Sequence, residues 1–326
     1  MDKRTFLHRG LAAAAAVALP GAALHAQEPY PARPIKLVVP FPPGGPTDIF
    51  GRRFAEKARD VLGQPMVVEN RAGAGGTIGA TAVAKAPADG YTLLFGTSST
   101  HVTSPLMLAS PPYDPLKDFT QLIVGVVPMV LAVRPNLPAQ TVQEFVKLIR
   151  DNPGRFTFGS AGPGSINHLG GELLKLRAGL NALHVPYKGT NPAQMALMAG
   201  EVDFLLDTFG TALPQHQAGK IRIIATLGER RSAVAPDIPT TIESGIADSS
   251  VTTVNVVAMP SAVPASVVDA LAGATRKVMA DGPLAAGLAK LGIEPVTDAD
   301  PARSARFFAA EIARWAPIVK ASGVSM

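Results

Sequence analysis

Three short stretches gather the residues whose types and spacing could do chemistry: "PFPPGGPTD" (40–48), "GTSSTHVTSP" (96–105) and "GSAGPGSINHL" (159–169). Each follows an apolar run, leads into a helical pattern, and is rich in glycine or hydroxyl groups without one lysine or arginine. Glycine lets another molecule approach the main chain closely. A helix start leaves N–H groups unpaired and carries roughly half a positive charge, so such turns attract an anion without a basic side chain. Plain turn and cap chemistry explains any single loop better; three in one chain favour a binding site.

Covalent chemistry has weaker support. Ser98 in "GTSST" and Ser160 in "FGSAG" both miss the G-x-S-x-G elbow of hydrolases. His101 and His168 lie just inside candidate turns, where a donor to a ligand oxygen would be useful; either is equally a satisfied helix-start histidine. A serine hydrolase pairing Ser98 or Ser160 with one of these histidines is the alternative from another class. "NRAGAGGTIGA" (70–80) imitates a dinucleotide loop, but its Gly73, Gly75, Gly79 spacing departs from G-x-G-x-x-G and no acidic partner follows, so a structural turn is expected. The chain has no cysteine, and His101, His168, His184 and His216 are widely spaced; no metal and no cofactor are expected. In "HVPYKGTNPAQMALMAGEVDFLLDT" (184–208), Lys188 is the one cation near a strand end that could meet an acid, although a surface-turn lysine is more often solvated. Asp207 either faces a cleft or caps the helix beginning at Thr208.

The elements that must position these residues alternate. "IKLVVPF", "QPMVVEN", "YTLLFGT", "RFTFGSAG", "ALHVPY", "VDFLLDT" and "IRIIATL" read as strands between helical patterns, the signature of parallel sheets covered by helices. Phe50, Phe54, Ala58 and Val61 mark one helix face, and Ile166, Leu169, Leu173 and Leu176 another. Turns at the C-terminal ends of parallel strands are where open α/β sheets place ligands. Residues 120–135 and 249–260 are long, extended in character and lack a following amphipathic helix. They are either ordinary core strands or two crossovers joining two α/β domains, one of residues 27–127 plus 256–326 and one of 128–255.

With 47% hydrophobic and 17% charged residues, the 326-residue chain can build substantial cores. Residues 1–26 open with Lys3, Arg4 and Arg9, continue through an apolar run from Leu11 to Leu19, and end on small residues with Ala26 at a plausible cleavage position. That pattern reads as an export signal peptide rather than an anchor, because a spanning helix needs roughly 20 apolar residues. "KRTFL" approximates a twin-arginine signal, so either export route fits. Removing the leader takes three positive charges and one negative, lowering the formal charge from +5 to +3. No basic block interleaved with aromatics remains, and no nucleic-acid partner is expected.

The chain resembles, over essentially its whole mature length, the periplasmic substrate-binding receptors of tripartite tricarboxylate transporters, the Bug receptors. The stretches that carry the likeness are "YPARPIKLVVPFPPGGPTDIFGRRFAEK", "GQPMVVENRAGAGGTIGATAVAKAPADGYTLLFGTSSTH", "YDPLKDF", "ALHVPYKGTNPAQMALMAGEVDFLLD" and "LPQHQAGKIRIIATLGERRSAVAPDIPTTIESG". The resemblance implies a two-domain Venus-flytrap fold, monomeric, that closes on a small carboxylate and hands it to a membrane permease. It also implies a site held through main-chain groups and ordered waters. By position, Phe41, Pro43, Gly44, Gly45 and Thr47 would form one wall, with Ser98, Thr100 and His101 beside them. Ser160, Ala161, Gly164, Ser165 and His168 would face them, with Tyr187, Gly189 and Asp207 deeper and Asn255 on the second crossover. Relatives commonly read Trp-x-Gly followed by Ala-Pro and Gly-Thr-Pro in that crossover; this chain has "VNVVAMPSAVP" (254–264). The departure at Val254 and Val256 predicts a reshaped pocket wall.

Overall fold

The computed structural model describes residues 30–325; the export-signal reading of residues 1–26 lies outside them. The first lobe opens with β1 (Ile35–Val39), α1 (Pro46–Leu62), β2 (Met66–Asn70), α2 (Thr77–Ala84), β3 (Thr92–Thr97) and α3 (Ser104–Met107). Strand β4 (Phe119–Val133) then leaves it for the second lobe. That lobe contains α4 (Val142–Arg150), β5 (Phe156–Ser160), α5 (Ile166–Ala178), β6 (Ala182–Pro186), α6 (Thr190–Ala199), β7 (Phe204–Thr208), α7 (Phe209–Gln217) and β8 (Arg222–Thr226). Strand β9 (Thr252–Pro260) returns, and α8 (Ala265–Met279), α9 (Gly282–Ala289), β10 (Glu294–Pro295) and α10 (Pro301–Ser322) complete the first lobe.

Strands β1, β2 and β3 pair in parallel, as do β5, β6 and β7, so each lobe has a mainly parallel sheet with its strand-to-helix turns at one end. Two strands connect the lobes. Residues Phe119–Pro128 of β4 pair with β9 in the first sheet, while Met129–Val133 pair with β7 and β8 in the second. The long apolar segments at 120–135 and 249–260 are thus crossovers, apolar because both faces of each are covered. By hydrogen bonding, β9 joins the first sheet from Thr252, four residues before the division at 255/256.

Phe50, Phe54 and Ala58 of α1 are buried against β1 and β3, with Phe50 edge-on to Phe95 at 5.1 Å. Val61, expected on the same stripe, is 37% exposed because it falls in the last turn, beyond the sheet. On α5, Ile166, Leu169 and Leu173 are buried but Leu176 is 46% exposed; Leu174 takes the inner position instead. Both misses come from extending an i, i+3, i+4 stripe past the point where the partner layer ends.

Candidate functional site

A cavity of about 70 Å³ lies between the lobes, enough for on the order of five water-sized groups at roughly 10–15 Å³ each. Its first-lobe wall is Phe41, Gly45 and Thr47 before and within α1, with Thr97 at the end of β3 and Ser99 just after it. Its second-lobe wall is Ala161, Ile166 and Asn167, then Thr190 and Asn191 of α6, then Thr208 at the end of β7 with Gly210 and Thr211 of α7. Thr253 and Asn255 of β9 close the back. Among the described residues, none in the lining carries a formal charge.

Four helices begin at this cavity. Only α5 has a side-chain cap, Ser165 Oγ accepting from the His168 amide at 3.3 Å; α1 starts on Gly45 and α6 on Gly189 with none. An uncapped N-terminus directed at a cavity leaves its first amides to whatever binds there. Asp48 holds the α1 turn in shape: it accepts from the Gly44 amide, Arg52 Nε and Asn70 Nδ2, and Asn70 also donates to the Phe41 carbonyl. Burial alone would raise the Asp48 carboxyl, but the bonds from Arg52, Gly44 and Asn70 outweigh it and keep it below the ordinary carboxylate range.

The lobes touch around the cavity. Thr103 Oγ1 donates to the Gly164 carbonyl at 2.5 Å, and Ser99 Oγ accepts from the Ile166 amide at 2.9 Å. Gly189, at φ +132°, lies so near the first lobe that a Cβ there would sit 2.9 Å from Pro42 Cγ. Gly44, at φ +78°, faces Asn191 in the same way, with 3.3 Å to its Nδ2.

Of the residues expected at the site, Phe41, Gly45, Thr47, Ala161 and Asn255 line the cavity. Gly44, Gly164, Ser165 and Gly189 shape the turns and contacts around it, and Pro43 is exposed on the outside of its turn. The remainder lie behind the wall. Ser98 Oγ accepts from the Val254 amide and ties β3 to the crossover. Thr100 closes its own turn through Thr97. His101 is fully buried between Phe308 and Phe119, at 4.8 and 5.3 Å, and burial pulls its pKa down to about 4. Tyr187 packs on the α6 side of the second lobe, and Lys188 is exposed on its turn. Val254 and Val256 are buried in the core opposite the cavity, since alternate strand residues face opposite sides; the departure from the relatives' pattern leaves Thr253 and Asn255 as this strand's cavity-facing residues.

Ser160 and His168 form an arrangement that the sequence spacing concealed. Ser160 Oγ lies 2.6 Å from His184 Nε2, and the His184 ring stacks on His168 with centroids 3.8 Å apart. Burial, then His168 and Lys175, push His184 down to about 3. Burial and Lys175 push His168 to about 4. A general base works best with a pKa near the operating pH. His184 is far below that, no carboxylate orients it, and neither Ser160 nor His184 lines the cavity. The serine–histidine contact is packing in the second lobe.

Sequence reasoning missed Thr97, Asn167 and Thr253, each next to or near an expected position, and the whole of the starts of α6 and α7: Thr190, Asn191, Thr208 and Thr211. Their signal was legible, because "GTN" and "DTFGT" follow strands as the other turns do. Asp207 lies beneath the last of these turns, fully buried. It accepts from Gln194 Nε2 at 2.8 Å, the Thr208 amide at 2.7 Å and Thr211 Oγ1 at 2.6 Å. Burial lifts its carboxyl, against those three bonds, to about 6.

Two lobes on a double crossover, with helix starts converging on an uncharged interlobe cavity, define a periplasmic binding-protein fold. Comparison with known proteins narrows the class. The sequence profile of the tripartite tricarboxylate transporter family receptor, TctC, matches residues 50–324, and the chain belongs to that family of solute-binding receptors. It is 37% identical over 299 residues to Protein BugT of Bordetella pertussis (strain Tohama I), covering 91% of each chain. The structure of periplasmic binding protein BugD superposes with a TM-score of 0.87 at 35% identity, covering 91% of this chain and 99% of the other. Rpa4515 of R. palustris with adipate gives 0.87 at 34% identity, with the same coverage. MatC of Rhodopseudomonas palustris with bound malate gives 0.85 at 32%, covering 89% of this chain and all of the other.

Proposed function

We propose that this receptor captures a small organic carboxylate, mono-, di- or tricarboxylate with aromatic acids included, in the interlobe cavity and delivers it to a tripartite tricarboxylate-type permease of the inner membrane. It works as an exported periplasmic monomer without chemistry. The observation that carries the reading is the meeting of uncapped helix starts, α1 from one lobe and α6 from the other, on a cavity with no charged lining residue. Amides placed this way stabilise a carboxylate, and water bridges let one scaffold accept several acids. An acid that touches both lobes favours the closed arrangement over the open one. Relatives whose structures hold adipate and malate support a guest of this size.

Calorimetry of the purified protein against a panel of mono-, di- and tricarboxylates tests the reading. Saturable binding of at least one acid is expected, and it should be lost in Gly45→Val, whose side chain enters the cavity at a position where an added Cβ meets only the Pro42 carbonyl, at 3.5 Å. Heat from none of the panel, or Gly45→Val binding as the parent does, would remove this cavity from the function.

A further inference from the structure

The cavity offers two kinds of group. The uncapped starts of α1, α6 and α7 bring main-chain donors to it. Beside the start of α7, a chain of hydroxyls ends on a buried carboxylate. Asp207 Oδ1 takes the Thr211 Oγ1 proton at 2.6 Å. A hydroxyl has one proton to give, and this short bond to a buried charge outcompetes the 3.3 Å alternative to the Thr208 carbonyl. Thr211 Oγ1 therefore has only lone pairs left, and Thr208 Oγ1, 3.3 Å away, is placed to donate to one of them. Each hydroxyl is polarised toward Asp207, so each presents oxygen rather than proton to the cavity it lines.

The three donors to Asp207 come from α6, α7 and the main chain, and all are neutral. Among the described residues, no cation bonds to Asp207. This contrasts with the Asp48 carboxylate, which Arg52 meets at 2.9 Å. At neutral pH Asp207 is ionised even with burial lifting its carboxyl to about 6, and an ionised carboxylate can only accept.

Resting on the reading of this chain as a carboxylate receptor, we propose that Thr208 and Thr211, polarised by Asp207, select acids that carry, besides the carboxylate, a hydrogen-bond-donating group, a hydroxyl or an amine, that reaches these two hydroxyls. Thr211 is the specificity residue and Asp207 a positioning residue that acts through it. A guest presenting only methylene to these hydroxyls leaves lone pairs unpaired. It is penalised, because a buried polar group without its partner bears its full desolvation cost.

Calorimetry with acids matched in length isolates the choice: succinate, malate and aspartate, and separately butyrate, 3-hydroxybutyrate and 4-aminobutyrate. In at least one series the hydroxyl- or amine-bearing member binds about fivefold or more tighter than its unsubstituted parent, and which member wins separates the two donor types. Thr211→Val, equal in shape but without the hydroxyl, brings that ratio to about one, and Asp207→Asn lowers it. A purely structural role would leave the ratio where it was. Ratios below about fivefold in both series overturn the proposal even if neither variant folds, as does an unchanged ratio in folded Thr211→Val. If acids bind without such a preference, the proposal fails and the receptor reading stands; if no acid binds, both fail.

Discussion

Asp48 and Asp207 are buried carboxylates beside the same cavity, one in each lobe: Asp48 in the first turn of α1, Asp207 at the end of β7. Each accepts three hydrogen bonds. Their titrations move in opposite directions: Asp48 is held below its ordinary value and Asp207 is lifted to about 6. Two things differ: Asp207 is the more deeply buried, and only Asp48 bonds to a cation. Arg52, four residues along α1, meets Asp48 and neutralises it within the first lobe, which leaves the α1 amides free for a guest. Asp207 has only neutral partners, so its charge is passed through Thr211 to the cavity wall. The same kind of side chain is scaffold in one lobe and a source of polarity in the other, and depth of burial together with the neighbouring cation decides which.

Breaking the Asp48 side should cost most. Asp48→Ala strands the Gly44 amide, Arg52 and Asn70 together, and chemical denaturation should show a loss of about 3 kcal/mol with weakened acid binding. A loss under about 1 kcal/mol would mean that the turn holds without its carboxylate.

The Asp207 side sharpens the contrast through pH. A carboxyl raised on folding favours the protonated native state, so its contribution to stability is fully present below the ordinary value near 3.8 and is lost as pH rises to about 6. At about 1.4 kcal/mol per unit, the parent should lose on the order of 3 kcal/mol relative to Asp207→Asn between about pH 4 and pH 6, and nothing further above that. Asp48 works the other way, its contribution being present above 3.8 and lost as pH falls through its depressed value. Denaturation of both variants across pH 3–8 would show whether the slopes are opposed; parallel slopes would end the comparison.

Ser165→Ala removes the one side-chain cap among the four cavity helices and should cost about 1 kcal/mol, visible as a lowered melting temperature, with some loss of affinity. Smallest of all, Lys188→Ala should change acid affinity by less than about twofold, since an exposed lysine is screened by water and salt. A larger effect would return a basic side chain to the site.

The sequence made the turns readable because they rest on local rules, and it left the two long segments as either core strands or crossovers. Glycine-rich turns after β-branched runs announced α1 and α5, and two long runs without a following helix announced β4 and β9. What escaped was set by side-chain direction and by distance along the chain. Ser98, Thr100 and His101 sit in the right turn, but their side chains point into the first lobe. Ser160, His168 and His184 meet only because α5 packs over β5 and β6. Val254 and Val256 drew attention as substitutions, yet strand alternation turns them to the core and leaves Asn255 facing the cavity.

The central claim is that main-chain amides and hydroxyls hold an acidic guest here without a resident basic side chain. A crystal structure with the bound acid tests it most directly. The account predicts carboxylate oxygens within about 3.2 Å of amides at the starts of α1 and α6, directly or through one water. A lysine or arginine nitrogen within about 4 Å of that carboxylate would contradict it.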